Sequence, residues 1–297
     1  MSAAVKKAII PVAGLGTRML PASKSMPKEL LPVFDRPAIQ YVVDEAVAAG
    51  VTDIMLVTRA GDSAIQQYLS IDADLDAALE ARGKTALAAQ VRDLVSPGVT
   101  IQSVPQPQPL GLGHAVRQAA EWVGEAPFVV MLPDVLVDQA DGASPDLACM
   151  LARFQATGAA QVLVQSVPAQ QVDRYGIVSL AGALPGAGES AQMAGVVEKP
   201  TSTDAPSNLA VVGRYVLPAR VMALLAAVRP DACGEIQLTD AIAALIAEQP
   251  VEAYVMTGLA FDCGSKTGYL QAFLHYALRH PELAAEARAI VASACDY

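Results

Sequence analysis

Short apolar segments alternate along the whole chain with longer segments in which apolar residues recur every three or four positions. The first pattern is typical of buried strands and the second of amphipathic helices. Their alternation predicts an α/β fold in which a mixed, mainly parallel sheet lies between helices. The predicted strands are residues 8–12, 53–58, 100–104, 128–132, 161–167 and 209–216, and the predicted helices are residues 37–49, 75–94, 115–123, 145–157, 218–228 and 238–249.

No linker, internal repeat or heptad array divides the 297 residues, so we expect a single domain. Residues 181–190 are rich in Gly, Ala and Pro and predict a hairpin tip or surface loop. The Ala-rich tail, residues 267–297, is expected to be helical from Thr267 to Cys295 and to cap the domain or pack on a second subunit. Pro11 conflicts with the first predicted strand, because proline cannot donate a ladder hydrogen bond.

The distribution of charge is more informative than its total. A formal net charge of −10 argues against general nucleic-acid binding. No run of about 18 apolar residues exists, so we expect no membrane span. The four cysteines form no Cys-x-x-Cys pair, which indicates free thiols in a reducing cytoplasm.

Positive charge is concentrated at the start of the chain. Residues 1–28 hold five Lys and Arg residues and no acid, and this local cluster predicts a small anionic ligand.

A glycine-rich turn follows the first predicted strand and contains Gly14 and Gly16. Glycines let the backbone approach a ligand closely, and successive N–H groups bind phosphate oxygens. A dinucleotide-binding fingerprint would need a third glycine where Met19 stands, and the turn also lacks the Gly-Lys-Ser/Thr of a Walker A loop. Three prolines within residues 21–32 prevent a continuous helix. A stiff loop that carries Arg18 and Lys28 suits a triphosphate.

Six segments together resemble the sugar-1-phosphate nucleotidylyltransferases. They are AGLGTRMLP at 13–21, GLGHA at 111–115, LPDV at 132–135, VEKP at 197–200, GEIQLTD at 234–240 and DCG at 262–264. The start of the first segment is similar to the uridylyl-transferring branch, since the thymidylyl branch usually begins with Gly-Gly. Each segment alone is a weak signal, but all six occur in order over nearly the whole chain.

The resemblance implies a Rossmann-like fold of the nucleotide-diphospho-sugar transferase type. Residues 1–135 are then expected to bind mainly the nucleotide, residues 136–266 mainly the sugar phosphate, and residues 267–297 to form a C-terminal helical tail. It further implies the substrates UTP and glucose 1-phosphate, the products UDP-glucose and pyrophosphate, Mg²⁺ as cofactor, and assembly as a homodimer or homotetramer.

The candidate site residues follow from their positions and from the resemblance. Asp134 follows the carboxyl end of an apolar strand, where ligands bind in α/β sheets, and a carboxylate there suits Mg²⁺. The resemblance adds Asp262 as a second metal ligand. It implies catalytic roles for Arg18, Lys28 and Lys199, nucleotide binding by Ala13, Gly14, Gly16, Thr17, Gln106 and Gly111, and sugar binding by Gly176, Glu198, Lys199 and Gly213.

Two points stay open at the level of sequence. The proline-rich stretch at 105–109 departs from the family pattern, so that Gln106 or Gln108 reads the base. Three functions are open. The chain transfers a uridylyl group to glucose 1-phosphate, or it transfers a thymidylyl or another nucleotidylyl group to a sugar 1-phosphate. Alternatively, it is a nucleotide-sugar sensor without catalytic activity. The complete set of Arg18, Lys28, Asp134 and Lys199 argues against the sensor, because a binding protein does not need every catalytic charge.

Overall fold

The structure is a computed structural model that describes residues 4–61, 64–139 and 144–294. Its strands are β1 Lys7–Pro11, β2 Pro32–Val33, β3 Arg36–Pro37, β4 Asp53–Arg59, β5 Thr100–Gln106, β6 Phe128–Met131, β7 Val135–Asp138, β8 Ala160–Ser166, β9 Gly176–Leu180, β10 Ser190–Glu198, β11 Leu209–Leu217, β12 Val251–Val255 and β13 Leu259–Asp262. Its helices are α1 Ala38–Ala48, α2 Ala64–Tyr68, α3 Ala73–Ala81, α4 Thr85–Arg92, α5 Leu112–Gln118, α6 Ala120–Val123, α7 Asp146–Thr157, α8 Arg220–Ala227, α9 Leu238–Ile246, α10 Lys266–Arg279 and α11 Ala284–Ala294.

Nine strands form one sheet in the order β5-β4-β1-β6-β11-β8-β12-β10-β9. The pairs β4–β5, β1–β4, β1–β6 and β8–β12 are parallel, whereas β10 and β11 run antiparallel to their neighbours. Seven of these nine strands therefore run in one direction. The predicted mixed, mainly parallel sheet is confirmed. Two further ribbons, β2–β3 and β7–β13, lie beside it.

The sheet buries apolar side chains on both faces. Along β1, Ile9 packs into a cluster with residues of α5, α8 and α9, whereas Ile10 packs into a second cluster with residues of α1, α7 and α10. Successive strand residues point to opposite faces, so a run of apolar residues serves both layers. The predicted helix–sheet–helix arrangement follows from this burial.

Two of the predicted helices are interrupted. The expected helix at 75–94 is wrong as a single element, because Gly83 adopts a left-handed conformation with φ of 69° between α3 and α4. The expected helix at 115–123 starts earlier, at Leu112, and divides at Ala119 into α5 and α6. The predicted hairpin tip at 181–190 is confirmed, since it joins the antiparallel strands β9 and β10.

Prolines occur in two strands of the nine-stranded sheet without breaking it. Pro11 is the last residue of β1 and pairs only with Val57 of β4, because the pairing with β6 ends at Ile9. Pro105 lies in the edge strand β5, where one side of the backbone needs no ladder partner. The conflict at Pro11 is thereby resolved.

The C-terminal tail is helical, as expected, and consists of α10 and α11, although Cys295 lies outside the described residues. Helix α10 packs against β13 and β2. In the described part of the chain, no helix combines the length and the apolar character that a membrane crossing requires.

Candidate active site

The strands β1, β4, β5 and β6 are parallel, so their carboxyl ends meet at one edge of the sheet. The glycine-rich turn follows β1, Gln106 ends β5, and Asp134 follows β6 three residues after Met131. Ligands in open α/β sheets bind outside this edge. The topology therefore brings together residues that are more than a hundred positions apart in sequence.

The loop after β1 is irregular, as the prolines predict. It contains three single turns of 3₁₀-helix, Thr17–Met19, Ala22–Lys24 and Lys28–Leu30. Gly16 has φ of 63°, and its carbonyl accepts a hydrogen bond of 2.7 Å from the Ser23 hydroxyl. A Cβ atom on Gly14 would lie 3.8 Å from Cε of Lys28. The loop thus folds back and places Lys28 beside the glycine-rich turn.

Two carboxylates and two cations meet at the centre of this edge. Lys28 Nζ donates to Asp134 Oδ2 over 2.6 Å, and Arg18 Nη1 donates to Asp262 Oδ2 over 3.2 Å. Arg18 Nη2 also lies 3.7 Å from Asp134 Oδ2. The β7–β13 ribbon places Asp262 opposite Val135, and Cys263 N donates to the Asp134 carbonyl over 2.7 Å. Predicted residues from three separate motifs therefore form one cluster.

Lys28 and Asp134 stabilise each other's charged form. Burial alone would raise the pKa of Asp134, but Lys28 and Arg18 outweigh it, so the pKa of this carboxyl lies below its usual range. Burial would lower the pKa of Lys28, yet Asp134 and Glu29 raise this pKa above its ordinary value. Both side chains are therefore ionised at neutral pH.

The carboxylates of Asp134 and Asp262 have the spacing and chemistry of a site for Mg²⁺. A Cβ atom on Gly264 would lie 2.7 Å from Asp134 Oδ2 and 2.9 Å from Asp262 Oδ1, so this glycine leaves open the space between them. Among the described residues no group of three or more His, Cys, Asp or Glu side chains is placed to hold a metal. Mg²⁺ prefers oxygen ligands and commonly uses one or two carboxylates together with phosphate and water. The two carboxylates fit that requirement.

Gln106 is buried at the end of β5, whereas Gln108 is exposed. The Gln106 amide nitrogen donates to the Gly111 carbonyl over 3.2 Å and lies 2.9 Å from Nδ1 of His114. Because a carbonyl accepts and never donates, the Gly111 oxygen determines which way the Gln106 amide faces. Gly111 itself is required by packing, since a Cβ there would lie 2.8 Å from the Ile236 carbonyl oxygen.

Glu198 and Lys199 lie at the end of β10. Glu198 is the last residue of that strand and pairs with Gly176, and its Oε2 accepts a hydrogen bond of 3.1 Å from Thr239. Lys199 has φ of 43°, which is uncommon for a residue other than glycine, and its Nζ lies 3.4 Å from Glu198 Oε1. The departure from strand geometry lets these two adjacent side chains approach each other, whereas adjacent residues within a strand point to opposite faces.

Gly213 lies in β11 with φ of 90°, and a Cβ there would lie 2.7 Å from the Leu132 side chain. The structure therefore explains this glycine by its contact with the segment that carries Asp134. Its predicted contact with a sugar stays a prediction.

Several residues at the site were missed in the sequence. Thr239 donates a hydrogen bond to Glu198, His114 contacts Gln106, and Arg214, which is paired with Glu45, donates to backbone carbonyls on either side of Asp134.

Glu29 is a further residue that the sequence analysis missed. It is 1% exposed, and neither of its carboxylate oxygens has a hydrogen-bond partner. Burial raises the pKa of the Glu29 carboxyl to about 7. The only sequence signal for Glu29 and Arg214 is a charged residue next to, or within, an apolar segment.

Comparison with known proteins identifies the family. The sequence profile described as "Nucleotidyl transferase" matches residues 7–278. The chain belongs to the nucleotidyl transferase family. The sequence resemblance to nucleotidylyltransferases is thus confirmed.

The family relatives match over nearly their whole length. The chain is 50% identical to the UTP–glucose-1-phosphate uridylyltransferase of Escherichia coli strain K12, over 96% of this chain and 94% of the relative. It is also similar to the solved structure of a UTP-bound UGPase from Acinetobacter baumannii, with 53% identity, a TM-score of 0.90, and coverage of 97% and 98% of the two chains. A UDP-glucose pyrophosphorylase complexed with UDP-glucose is 33% identical with a TM-score of 0.82, over 93% of this chain and 100% of the other.

Gly264 offers a direct test of the cluster. Gly264→Ala would place a methyl group 2.6 Å from Arg18 Nη2 and between the two carboxylates, so we expect turnover to fall about 100-fold, as for other small misplacements of reacting groups. Gly182→Ala is the matched control, because nothing lies within 4 Å of a Cβ there. Steady-state rates and thermal unfolding of both variants check this. Equal rates for the two variants would show that the Gly264 space is not used.

Glu29 predicts a pH-dependent stability. Its folded pKa of about 7 exceeds the unfolded value of about 4.5, so between these values the unfolded state loses its proton first and stability falls as the pH rises. Glu29→Gln removes this cost and should raise the free energy of unfolding by up to about 3 kcal/mol at pH 8, with little change at pH 4. Urea unfolding at both pH values measures the difference. A variant equally stabilised at both pH values would contradict the buried ionisable carboxyl.

Proposed function

We propose that the chain transfers the uridylyl group of UTP to glucose 1-phosphate and forms UDP-glucose and pyrophosphate. The observation that carries this proposal is the cluster of Arg18, Lys28, Asp134 and Asp262 at the carboxyl edge of the sheet. The family relationship supports this proposal, because relatives that are about half identical to this chain over almost its full length carry the name of this activity.

In this proposal the glycine-rich turn receives the triphosphate. Ala13, Gly14, Gly16 and Thr17 supply backbone N–H groups, and Arg18 and Lys28 supply positive charge. A guanidinium forks onto two phosphate oxygens, whereas an ammonium acts as a point charge. Lys28 is only 15% exposed, so its charge acts on the phosphates with little screening by water. The Arg18 side chain is largely exposed and turns from Asp262 toward the phosphates in this proposal.

The reaction needs no general base. An oxygen of the glucose 1-phosphate attacks the α-phosphorus of UTP, and the new P–O bond forms as the bond from that phosphorus to the bridging oxygen breaks. Pyrophosphate leaves with the electron pair. The protein positions the reactants and neutralises charge that develops on the phosphates. A Mg²⁺ ion held by Asp134 and Asp262 would add further positive charge at the phosphate oxygens of the nucleotide.

Gln106 is proposed to read the uracil edge. Its amide nitrogen is engaged with Gly111 and His114, and neither contact uses Oε1. That oxygen accepts from N3–H of uracil, whereas N3 of cytosine is an acceptor and is repelled. Thymine presents the same edge as uracil, so Gln106 does not distinguish UTP from dTTP.

The sugar phosphate is proposed to bind near the end of β10. Glu198 accepts hydrogen bonds from sugar hydroxyls, Lys199 binds the sugar phosphate, and Gly176 and Gly213 line the pocket. The backbone N–H of Lys199 donates to the Tyr175 carbonyl over 2.9 Å, which holds Lys199 next to Gly176 at the end of β10.

We also propose how the chain is organised. Residues 1–135 bind mainly the nucleotide, residues 136–266 mainly the sugar phosphate, and residues 267–297 form the tail of a single domain. Exposed apolar side chains on and between α10 and α11 support a homodimer or homotetramer, namely Leu270, Phe273, Leu274, Leu283 and Ile290. The free thiols among the described cysteines support a cytoplasmic location.

Pyrophosphate release with a panel of nucleotides and sugar phosphates tests the activity. We expect the highest kcat/KM for UTP with glucose 1-phosphate. Asp134→Asn should reduce Mg²⁺-dependent turnover about 100-fold or more while the far-ultraviolet circular dichroism is unchanged, because a neutral amide does not replace a carboxylate on Mg²⁺. Near wild-type turnover in Asp134→Asn would overturn the metal assignment, and a preference for dTTP would overturn the nucleotide assignment.

Two glutamine variants identify the residue that reads the base. Gln106→Leu should cost UTP about 1–3 kcal/mol of transition-state binding, the range for a buried polar group left unpaired. CTP should lose less, so the ratio of kcat/KM for UTP to that for CTP falls, and the ratio of dTTP to UTP stays constant. Gln108→Leu is the matched control, since this side chain is exposed. If only Gln108→Leu lowers kcat/KM for UTP, the base is read by Gln108.

A further inference from the structure

Arg214 is a charged side chain in an otherwise apolar strand. It lies in β11, whose sequence is LAVVGRYVL, and it is fully buried with 0% exposure. A buried charge is costly unless it is paired and its hydrogen bonds are made. The contacts that satisfy Arg214 therefore show what the fold gains from keeping it.

All five N–H groups of the guanidinium have acceptors. Nε and Nη2 donate to the Glu45 carboxylate over 2.9 and 2.7 Å. The other Nη2 hydrogen goes to the Val135 carbonyl over 2.7 Å, and Nη1 donates to the carbonyls of Leu132 and Gly213 over 3.0 and 3.3 Å. Arginine has five donors in a rigid planar fork, so this arrangement uses its whole hydrogen-bonding capacity.

Two of these acceptors flank Asp134. β6 ends at Met131 and β7 begins at Val135, so residues 132–134 lie outside regular secondary structure. Backbone carbonyls there need donors from elsewhere. Arg214 supplies one at Leu132, and it also donates to the carbonyl of Val135, the first residue of β7, so its two contacts lie on either side of Asp134. Asp134 thus lies between two backbone carbonyls that accept hydrogen bonds from the same guanidinium.

Glu45 connects the same guanidinium to the other half of the cluster. It lies in α1, which begins directly after the β2–β3 ribbon that ends the loop bearing Arg18 and Lys28. Its carboxylate is mostly buried, with 13% exposure. One ion pair thus ties the helix that follows the cationic loop to the segment that carries the carboxylate.

We propose that Arg214, held by Glu45, is a positioning residue that fixes Asp134 for metal binding. The inference rests on the proposed metal role of Asp134. A buried ion pair is not in itself evidence of stability, because apolar side chains of similar volume often replace one without loss. The hydrogen bonds to the Leu132 and Val135 carbonyls are what such a replacement removes.

The test replaces the ion pair by an apolar pair. The double variant Arg214→Met with Glu45→Met should remain folded, by the same argument, but should lose the two carbonyl contacts. Mn²⁺ binding in the presence of UTP, followed by electron paramagnetic resonance without sugar phosphate, should weaken about 10- to 100-fold, the usual effect of removing a group that orients a metal ligand. Turnover should fall and partly recover at high Mg²⁺.

Three further variants separate positioning from folding. The pair Arg153 and Glu252 is also bidentate, at 2.9 and 3.0 Å, but it joins α7 to β12, so its replacement by two methionines should leave Mn²⁺ binding unchanged. Glu45→Gln keeps an acceptor for Arg214 and should bind Mn²⁺ within about threefold of wild type. Arg214→Lys has no planar fork and should bind Mn²⁺ as weakly as the double variant.

The outcomes distinguish this inference from the function on which it rests. Unchanged Mn²⁺ binding in Asp134→Asn overturns the metal assignment itself. Weakened binding in Asp134→Asn, with wild-type binding in the folded double variant, overturns the role of Arg214. If the double variant fails to fold, equal Mn²⁺ affinities of Arg214→Lys and Glu45→Gln overturn it as well.

Discussion

The contact between Lys28 and Asp134 is the interaction on which the site depends. Either side chain alone would be a costly buried charge, and together they keep each other ionised. Arg18 and Asp262 repeat this compensation on the more exposed side. The protein therefore holds charges of both signs fixed in one place, which is the preorganisation that the proposed binding of substrate phosphates would use.

The sheet explains why residues so distant in sequence meet. Parallel strands deliver the glycine-rich turn and Asp134 to one edge, and the β7–β13 ribbon adds Asp262. Glycines then leave room where side chains would collide. Gly264 does so between the carboxylates, and Gly213 does so against the segment before Asp134. The geometry of the cluster is thus set by backbone packing as much as by the charged residues themselves.

Two ionisable side chains buried beside the cluster differ in their hydrogen bonding. Every guanidinium N–H of Arg214 has an acceptor, whereas the Glu29 carboxylate has no hydrogen bond, lies 3.9 Å from Lys28 Nζ and has a raised pKa. The first is typical of a structural contact, since a satisfied charge holds its neighbours in one arrangement. The second costs stability near neutral pH. Such unsatisfied groups are expected at functional sites, where a protein accepts a local cost.

The sequence by itself determined the fold class, and it singled out the glycine-rich turn, Arg18, Lys28, Asp134 and Lys199 as candidates, because each lies in a local pattern with a physical meaning. Strand composition and helical periodicity are local properties, so six of the nine strands in the main sheet were predicted within a few residues. The sequence analysis missed β9, β10 and β12 of that sheet and all four strands of the two ribbons. In β10, small and polar residues hide the alternation.

Only the tertiary structure decided which of these residues touch. It paired Lys28 with Asp134, set the direction of the Gln106 amide through the Gly111 carbonyl, and buried Arg214 against Glu45, which is 169 positions away. These outcomes depend on contacts between distant segments, and no local pattern of apolar and polar residues encodes them. A lone arginine in an apolar strand shows that a partner is needed, but packing alone selects the partner.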